Sequence, residues 1–469
     1  MRKINLAAIT VLAFILRAYK ISENFVFSGE FGTEFLYIKN AIAHGRLPLV
    51  GLSTSHTWIS YGPLYYWIMI PLVKLFSFEP LTGAWVGIIT GTLAVIANYL
   101  VIRKIGNEKV AIWSSLIIAV SPIWISFARG ARLYVFTWLV FYLFLYFLRE
   151  LWQGKAKNIF WLGLSFGLFF NFHFSPILLT PVLLTSLYLR KKILKVKDYL
   201  LFLLGAILAN LPILIYDSQK GFSMSRNLIL WVPYRIAGFF GLYPKNNLSY
   251  ESLGGTFGVI IEFFGKMFIL YRPFWIVATI AFLVLAGFLF KENYRKVFKD
   301  FLIFFIFASL VSILAGIFIH QSPPIHYFLP LFPIPSLILA LTLDRYVKST
   351  SVRYLFAGSF LLLTLFNFKV GNLTPEPDSV PYKLQKEISG LIAADAKGSK
   401  FALKRVGPYD YFEGNYAQNY QYLLWLYGNE PVQQAKISYT IYEDTSKLPK
   451  GVKAIKWFNN VAVVRKEDK

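Results

Sequence analysis

Long apolar runs, parted by short clusters of lysine and arginine, constrain this chain more than any other feature. A helix needs about 20 mostly apolar residues to cross a bilayer. Lipid offers the backbone no hydrogen-bond partner, so such a run crosses as a helix. Candidate spans lie at 4–18, 81–102, 110–127, 134–148, 159–172, 174–189, 199–216, 274–290, 301–319, 328–343 and 355–368, about eleven in all. The fifth and sixth are short and meet at Asn171-Phe172-His173-Phe174, which suits a tight hairpin that falls short of a full crossing. Residues 62–76 begin Gly-Pro and suit a helix lying along the interface. The run at 4–16 follows Met1-Arg2-Lys3 as a signal peptide would. No small-x-small cleavage site comes after it, only Arg17, Tyr19 and Lys20, so it reads as a retained first span.

The net charge of +24 would suit nucleic acid if it lay on one soluble face. Here the cations sit in alternate linkers instead: Arg103-Lys104, 149–157, 190–197, 291–299 and 345–353. By the positive-inside rule these linkers and Arg2-Lys3 are cytoplasmic. The expected protein is therefore a multi-pass plasma (inner) membrane protein, with its N-terminus cytoplasmic and its C-terminal domain extracytoplasmic. Nucleic acid is not an expected partner. The outer face then carries a first loop at 21–80, a short loop with Arg129 and Arg132, a middle loop and the tail. The five histidines lie on or near that face. Absence of cysteine excludes disulfides, thiolate metal sites and a cysteine nucleophile.

Residues 1–372 are expected to form the all-α membrane domain and 373–469 a small soluble α/β domain. Periodicity within the tail predicts helices at 382–396 and 416–427 and strands at 401–406, 437–442, 454–458 and 461–465. Asn459-Asn460 marks a hairpin turn.

Candidate chemistry gathers in the outer loops. Phe27-Ser28-Gly29-Glu30-Phe31-Gly32-Thr33-Glu34 carries two carboxylates beside glycines. A helix starting at Thr33 would leave Glu30 on the preceding loop and Glu34 near a helix N-terminus, where the dipole favours a carboxylate. A carboxylate at the membrane edge can take a proton from an attacking hydroxyl; it can also serve as a cap or a solvated charge. Arg129 and Arg132 are unexpected in a short outer loop. Arginine's planar fork suits lipid phosphate, and snorkelling to headgroups is the alternative. Arg17 and Lys20 carry the same signal more weakly. His320-Gln321-Ser322-Pro323-Pro324-Ile325-His326-Tyr327 offers two imidazoles and a phenol, for a phosphate or sugar or as an ordinary polar turn. Tyr61, Tyr65 and Tyr66 lie in an aromatic stretch suited to a membrane belt or to sugar faces. In the tail, Tyr409, Tyr411, Tyr416, Tyr420, Tyr422 and Tyr427 pose a like choice between packing and sugar contact. Asp217 is an acid with no evident partner.

These residues together resemble the GT-C superfamily of membrane glycosyltransferases, which includes protein mannosyltransferases and aminoarabinose transferases. Leu16-Arg17-Ala18-Tyr19-Lys20-Ile21 resembles that family's Leu-Arg-x-Tyr-Lys-Leu. Gly29 to Glu34 resembles its acidic first-loop motif, Gly-Asp-Gln-Gly-Arg-Asp in one branch. Gly62-Pro63-Leu64-Tyr65-Tyr66-Trp67 resembles its interfacial Pro-Pro-Leu-Tyr-Tyr. Ser126-Phe127-Ala128-Arg129 and His326-Tyr327-Phe328-Leu329-Pro330-Leu331-Phe332-Pro333 resemble Tyr-Ser-Arg and Arg-Tyr-Leu-Leu-Pro-Leu-x-Pro. This chain departs in having glutamate where the branch has aspartate, and His326 where arginine is common.

The resemblance implies a GT-C-like fold and transfer of a sugar from a polyprenyl-phosphate donor to a glycan, lipid or protein acceptor. Glu30 would be the base and Glu34 its assistant or a ligand of a divalent metal ion. Arg129, Arg132, His326 and Tyr327 would bind the donor phosphate, and Tyr61, Tyr65 and Tyr66 the sugar or acceptor. Displacement in one step would invert the anomeric centre. A transporter or flippase for a lipid-linked saccharide and a non-catalytic subunit of the same fold are the alternatives. No internal repeat, as many transporters carry, is apparent.

Overall fold

A computed structural model describes residues 2–54, 56–239, 242, 250–320, 324–371, 380–407 and 416–467. Every expected apolar run contains helix. Four helices are long and apolar enough to cross a membrane: Leu81–Ile105, Leu133–Trp152, Arg272–Asn293 and Ser351–Lys369. Three bent pairs raise this to seven among the described residues if each counts as one span. They are Glu108–Val120 with Pro122–Ala128, Val196–Ala209 with Leu211–Ser218, and Ile325–Leu331 with Pro333–Tyr346, bent by 60°, 73° and 51°. Four shorter apolar helices, Leu6–Ala18, Leu64–Leu75, Ser175–Leu189 and Phe301–Ile317, accompany them among the described residues. Each break is set by a proline in the first turn of the second helix, where no N–H is lost to the ladder. Residues 159–172 hold only a ten-residue helix, Ile159–Leu168, before the chain turns, in keeping with a short hairpin. The segment expected at the interface forms the twelve-residue helix Leu64–Leu75.

The tail is a second, smaller core on the same face as the first loop. Strands β1 (Phe401–Val406), β2 (Ile437–Tyr442), β3 (Lys456–Phe458) and β4 (Val461–Glu467) make one sheet in the order β1-β2-β4-β3. β1 and β2 run parallel and the other pairs antiparallel. Helices Tyr382–Ala396 and Gln418–Leu426 lie where periodicity predicted them. The turn expected at Asn459-Asn460 is present, with Asn459 at φ 51°. The expected boundary near residue 372 lies outside the described residues, as do Tyr409 and Tyr411. Tyr420 and Tyr422 are buried, while Tyr427 is exposed.

The tail grips the first loop. Tyr382 donates its backbone N–H to Phe25 O at 2.9 Å and its hydroxyl to Glu79 Oε1 at 2.5 Å. Tyr422 donates to Phe78 O at 2.8 Å, and its ring meets those of Phe27 and Phe35. The tail helix Gln418–Leu426 packs directly on the first-loop helix Gly29–Ala43. Gly32 is the seat: a Cβ there would lie 2.2 Å from the backbone nitrogen of Asn419. The motif's glycines therefore bring two helices together. Gly32→Val is expected to cost about 1–3 kcal/mol by overpacking and to make the tail protease-sensitive. Gly258→Ala, with nothing within 4 Å of its new Cβ, is expected to leave both unchanged. Equal melting temperatures and digestion rates for wild type and Gly32→Val would overturn the seat.

Candidate functional site

The first-loop helix begins at Gly29, after an extended Ser28, and not at Thr33 as the sequence suggested. Packing against the tail offsets the poor helix propensity of Gly29 and Gly32. Glu30 and Glu34 consequently lie one turn apart on a single helix, in unlike surroundings. Glu30 sits in the first turn, with a side chain 80% exposed and Oε2 4.0 Å from Arg132 Nη1. Glu34 is buried and accepts a hydrogen bond from the Tyr66 hydroxyl, which itself accepts from Leu52 N–H at 3.2 Å. Burial pushes the Glu34 carboxyl up to about 8; the Tyr66 bond opposes the shift and the Glu30 charge adds to it. Glu34 is therefore mainly protonated at neutral pH.

The two loop arginines have separate fates. Arg129 is buried, and its Nη1 donates to the carbonyls of Arg17 at 3.0 Å and Tyr19 at 2.8 Å, at the end of the first helix. Arg17 is buried as well and is bonded to the carbonyls of Ala13, Ile118 and Ala119 at 3.0, 3.1 and 3.1 Å. Both side chains bind backbone, and neither reaches Glu30. Arg132 does, and its guanidinium also lies over the rings of Phe31, Phe127 and Tyr134, 5.1, 5.7 and 5.5 Å from their centroids. Three glycines at helical spacing make room for this loop. Cβ atoms on Gly83, Gly87 and Gly91 would meet Ala131 and Ala128 side chains or the Ala128 and Gly130 carbonyls within 2.4–2.6 Å.

From Arg132 a wall of rings leads on. Tyr134 stacks on His326 at 5.5 Å and meets His173 edge-on at 5.9 Å. His173 also meets His326 and Tyr327 edge-on, at 5.8 and 5.6 Å, and stacks on Tyr61 at 5.7 Å. His173 lies in the turn between two apolar helices, where burial pushes its imidazole down to about 4. Of the residues chosen from sequence, Glu30, Arg132, His326, Tyr327 and Tyr61 thus fall along one chain of contacts. Tyr65 and Tyr66 stand apart. Tyr65 is buried with its hydroxyl on Ala131 O at 3.0 Å, and Tyr66 is spent on Glu34, so neither offers a face to a ligand. Gln321, Ser322 and Pro323 lie outside the described residues. Asp217 caps the helix Ser223–Phe239 through the N–H groups of Met224 and Ser225. Sequence reasoning passed over Tyr134 and His173 as site residues; each sits at the start of an apolar run and reads as span.

A divalent metal does not fit Glu34. Its carboxyl is buried and already bonded to the Tyr66 hydroxyl. Among the described residues no three His, Asp or Glu side chains converge as a metal site requires.

Comparison with known proteins agrees with the architecture. Residues 60–216 match the sequence profile of the family described as dolichyl-phosphate-mannose-protein mannosyltransferase. An uncharacterized protein of Aquifex aeolicus (strain VF5) is 26% identical over 385 residues, 74% of this chain and 75% of the relative. The crystal structure of ArnT from Cupriavidus metallidurans bound to undecaprenyl phosphate superposes with a TM-score of 0.61 at 12% identity, over 98% of this chain and 97% of that one. The Archaeoglobus fulgidus oligosaccharyltransferase in its apo form superposes with a TM-score of 0.52 at 12% identity, over 92% of this chain and 64% of that one. The resemblance to the GT-C membrane glycosyltransferases read from the motifs is borne out, and with it the fold class.

Glu34 has a measurable consequence. A carboxyl raised from 4.5 to about 8 favours the folded state fully below 4.5, and that contribution is lost as pH rises through 8. The melting temperature of the detergent-solubilised protein is expected to fall between pH 5 and 8.5, and Glu34→Gln to flatten that slope. Parallel profiles for the two proteins would contradict the burial argument.

Proposed function

We propose that this chain transfers a sugar from a polyprenyl-phosphate carrier to an acceptor hydroxyl at the extracytoplasmic face, with inversion and with Glu30 as general base. The observation that carries this reading is the pair Glu30 and Arg132, an exposed carboxylate 4.0 Å from a guanidinium at the membrane edge. Two roles are needed in such a transfer, and the pair has one group for each. The acceptor oxygen attacks the anomeric carbon as its proton passes to the Glu30 carboxylate. The bond from the anomeric carbon to the phosphate oxygen breaks, and the carrier leaves as polyprenyl phosphate. Arg132 stabilises the charge that gathers on that phosphate, through the fork geometry arginine offers. One displacement from the opposite face inverts the centre. Glu34 is a positioning residue in this scheme: protonated and bonded to Tyr66, it fixes the helix that bears Glu30.

Relatives of known structure lend support at the level of ligand kind, since the ArnT structure was solved with undecaprenyl phosphate bound. Orientation follows from the basic linkers, which argue for a cytoplasmic face opposite the tail. The tail, gripping the helix that bears Glu30, is well placed to select the acceptor, whether glycan, lipid or protein.

Membranes supplied with labelled polyprenyl-phosphate sugar test the assignment. Glu30→Gln is expected to slow transfer by about 10²–10⁴-fold while carrier binding persists. Arg132→Gln is expected to weaken both, and Arg129→Gln to lower the melting temperature first. Undiminished transfer by Glu30→Gln would remove it from its role.

A further inference from the structure

A cavity of about 180 Å³ opens beside the wall of rings. His56 and Trp58 from the first loop and Trp231 from the helix Ser223–Phe239 form one side, and Tyr61, His173 and Tyr327 line it as well. His56 stacks on Trp58 and meets Trp231 edge-on, which closes that side with aromatic faces. Tyr134 touches both His173 and Arg132, so one ring separates the cavity from the acid–arginine pair.

His173 is the polar group whose state here is fixed by geometry. Ser175 donates its backbone N–H to Nδ1 at 3.0 Å. A neutral imidazole that accepts at Nδ1 carries its proton on Nε2. Among the described residues no group takes that hydrogen. A donor that borders a ring-lined cavity is arranged as ligand sites are, with mostly aromatic walls and few polar groups. The matching ligand has apolar C–H faces and acceptor oxygens at its edge. A sugar ring has both. An isoprenoid chain has no acceptor, and a phosphate is better served by Arg132.

We propose that His173 reads the donor's sugar, giving an Nε2–H hydrogen bond to a ring hydroxyl oxygen while the sugar's C–H face lies on the aromatic wall. This rests on the carrier-linked donor proposed above. The test uses the whole protein in detergent and competition against radiolabelled undecaprenyl phosphate. Competitors are bare undecaprenyl phosphate and undecaprenyl phosphates carrying single hexoses or pentoses. Wild type is expected to favour at least one sugar-bearing carrier over the bare one. His173→Phe is expected to cut that preference by about three- to tenfold, the worth of one neutral hydrogen bond, with bare-carrier affinity kept within about twofold on the same argument. His173→Gln, which retains a donor, is expected to recover part of it. If both carriers weaken equally in His173→Phe, or the preference survives intact, His173 does not read the sugar. Binding of bare carrier by wild type with no preference for any sugar would also overturn this inference, and leave the donor reading standing. Failure of every carrier to bind would sink the donor reading itself.

Discussion

Two buried arginines that bind backbone carbonyls hold this site in place. In lipid every backbone carbonyl needs a partner, and the helix Glu108–Val120 breaks at Ser121 with carbonyls left over. Arg17 takes those of Ile118 and Ala119, and Thr364 takes that of Val120 at 3.1 Å. Arg129, just past the break, returns to the carbonyls that end the first helix. Each helix end thus receives the other segment's guanidinium. The clamp presses residues 128–131 onto the glycine stripe at Gly83, Gly87 and Gly91. Arg132, next in the chain, is then turned toward Glu30.

The first-loop helix is fixed from two sides. Within the membrane domain, Tyr66 binds Glu34; from outside, the tail helix seats on Gly32. The two constraints treat the two acids differently. Burial holds the Glu34 carboxyl well above the usual carboxylate range, while Glu30, one turn away, is exposed beside Arg132. The seat on Gly32 also makes the tail part of the site: what loosens the tail moves the helix that bears Glu30.

Much of the fold was readable because lipid and water impose opposite patterns. Apolar runs located the membrane helices, and alternation in the polar tail located both helices and all four strands to within a few residues. The site was harder. Arg129 and Arg132 look alike in sequence, since nothing local says that one of them binds the carbonyls of Arg17 and Tyr19, 112 and 110 residues away. Gly29 and Gly32 read as loop residues because glycine is a poor helix former, and only the tail's approach explains them. His173 and Tyr134 were hidden for the opposite reason: rings at the start of an apolar run carry no signal of their own.

The departures from the family pattern acquire a physical meaning here. His326 stands where arginine is common, yet it lies flat on Tyr134 and edge-on to His173, in ring contacts an arginine would make differently. The charge at this end of the wall is borne by Arg132, whose guanidinium also lies over the Tyr134 ring. Arg132 Nη1 also donates a hydrogen bond to the Tyr134 hydroxyl. Glutamate in place of aspartate at position 30 adds reach across solvent toward that guanidinium. Where the family pattern has a shorter acid and a further fixed cation, this chain uses a longer acid, one arginine and neutral rings.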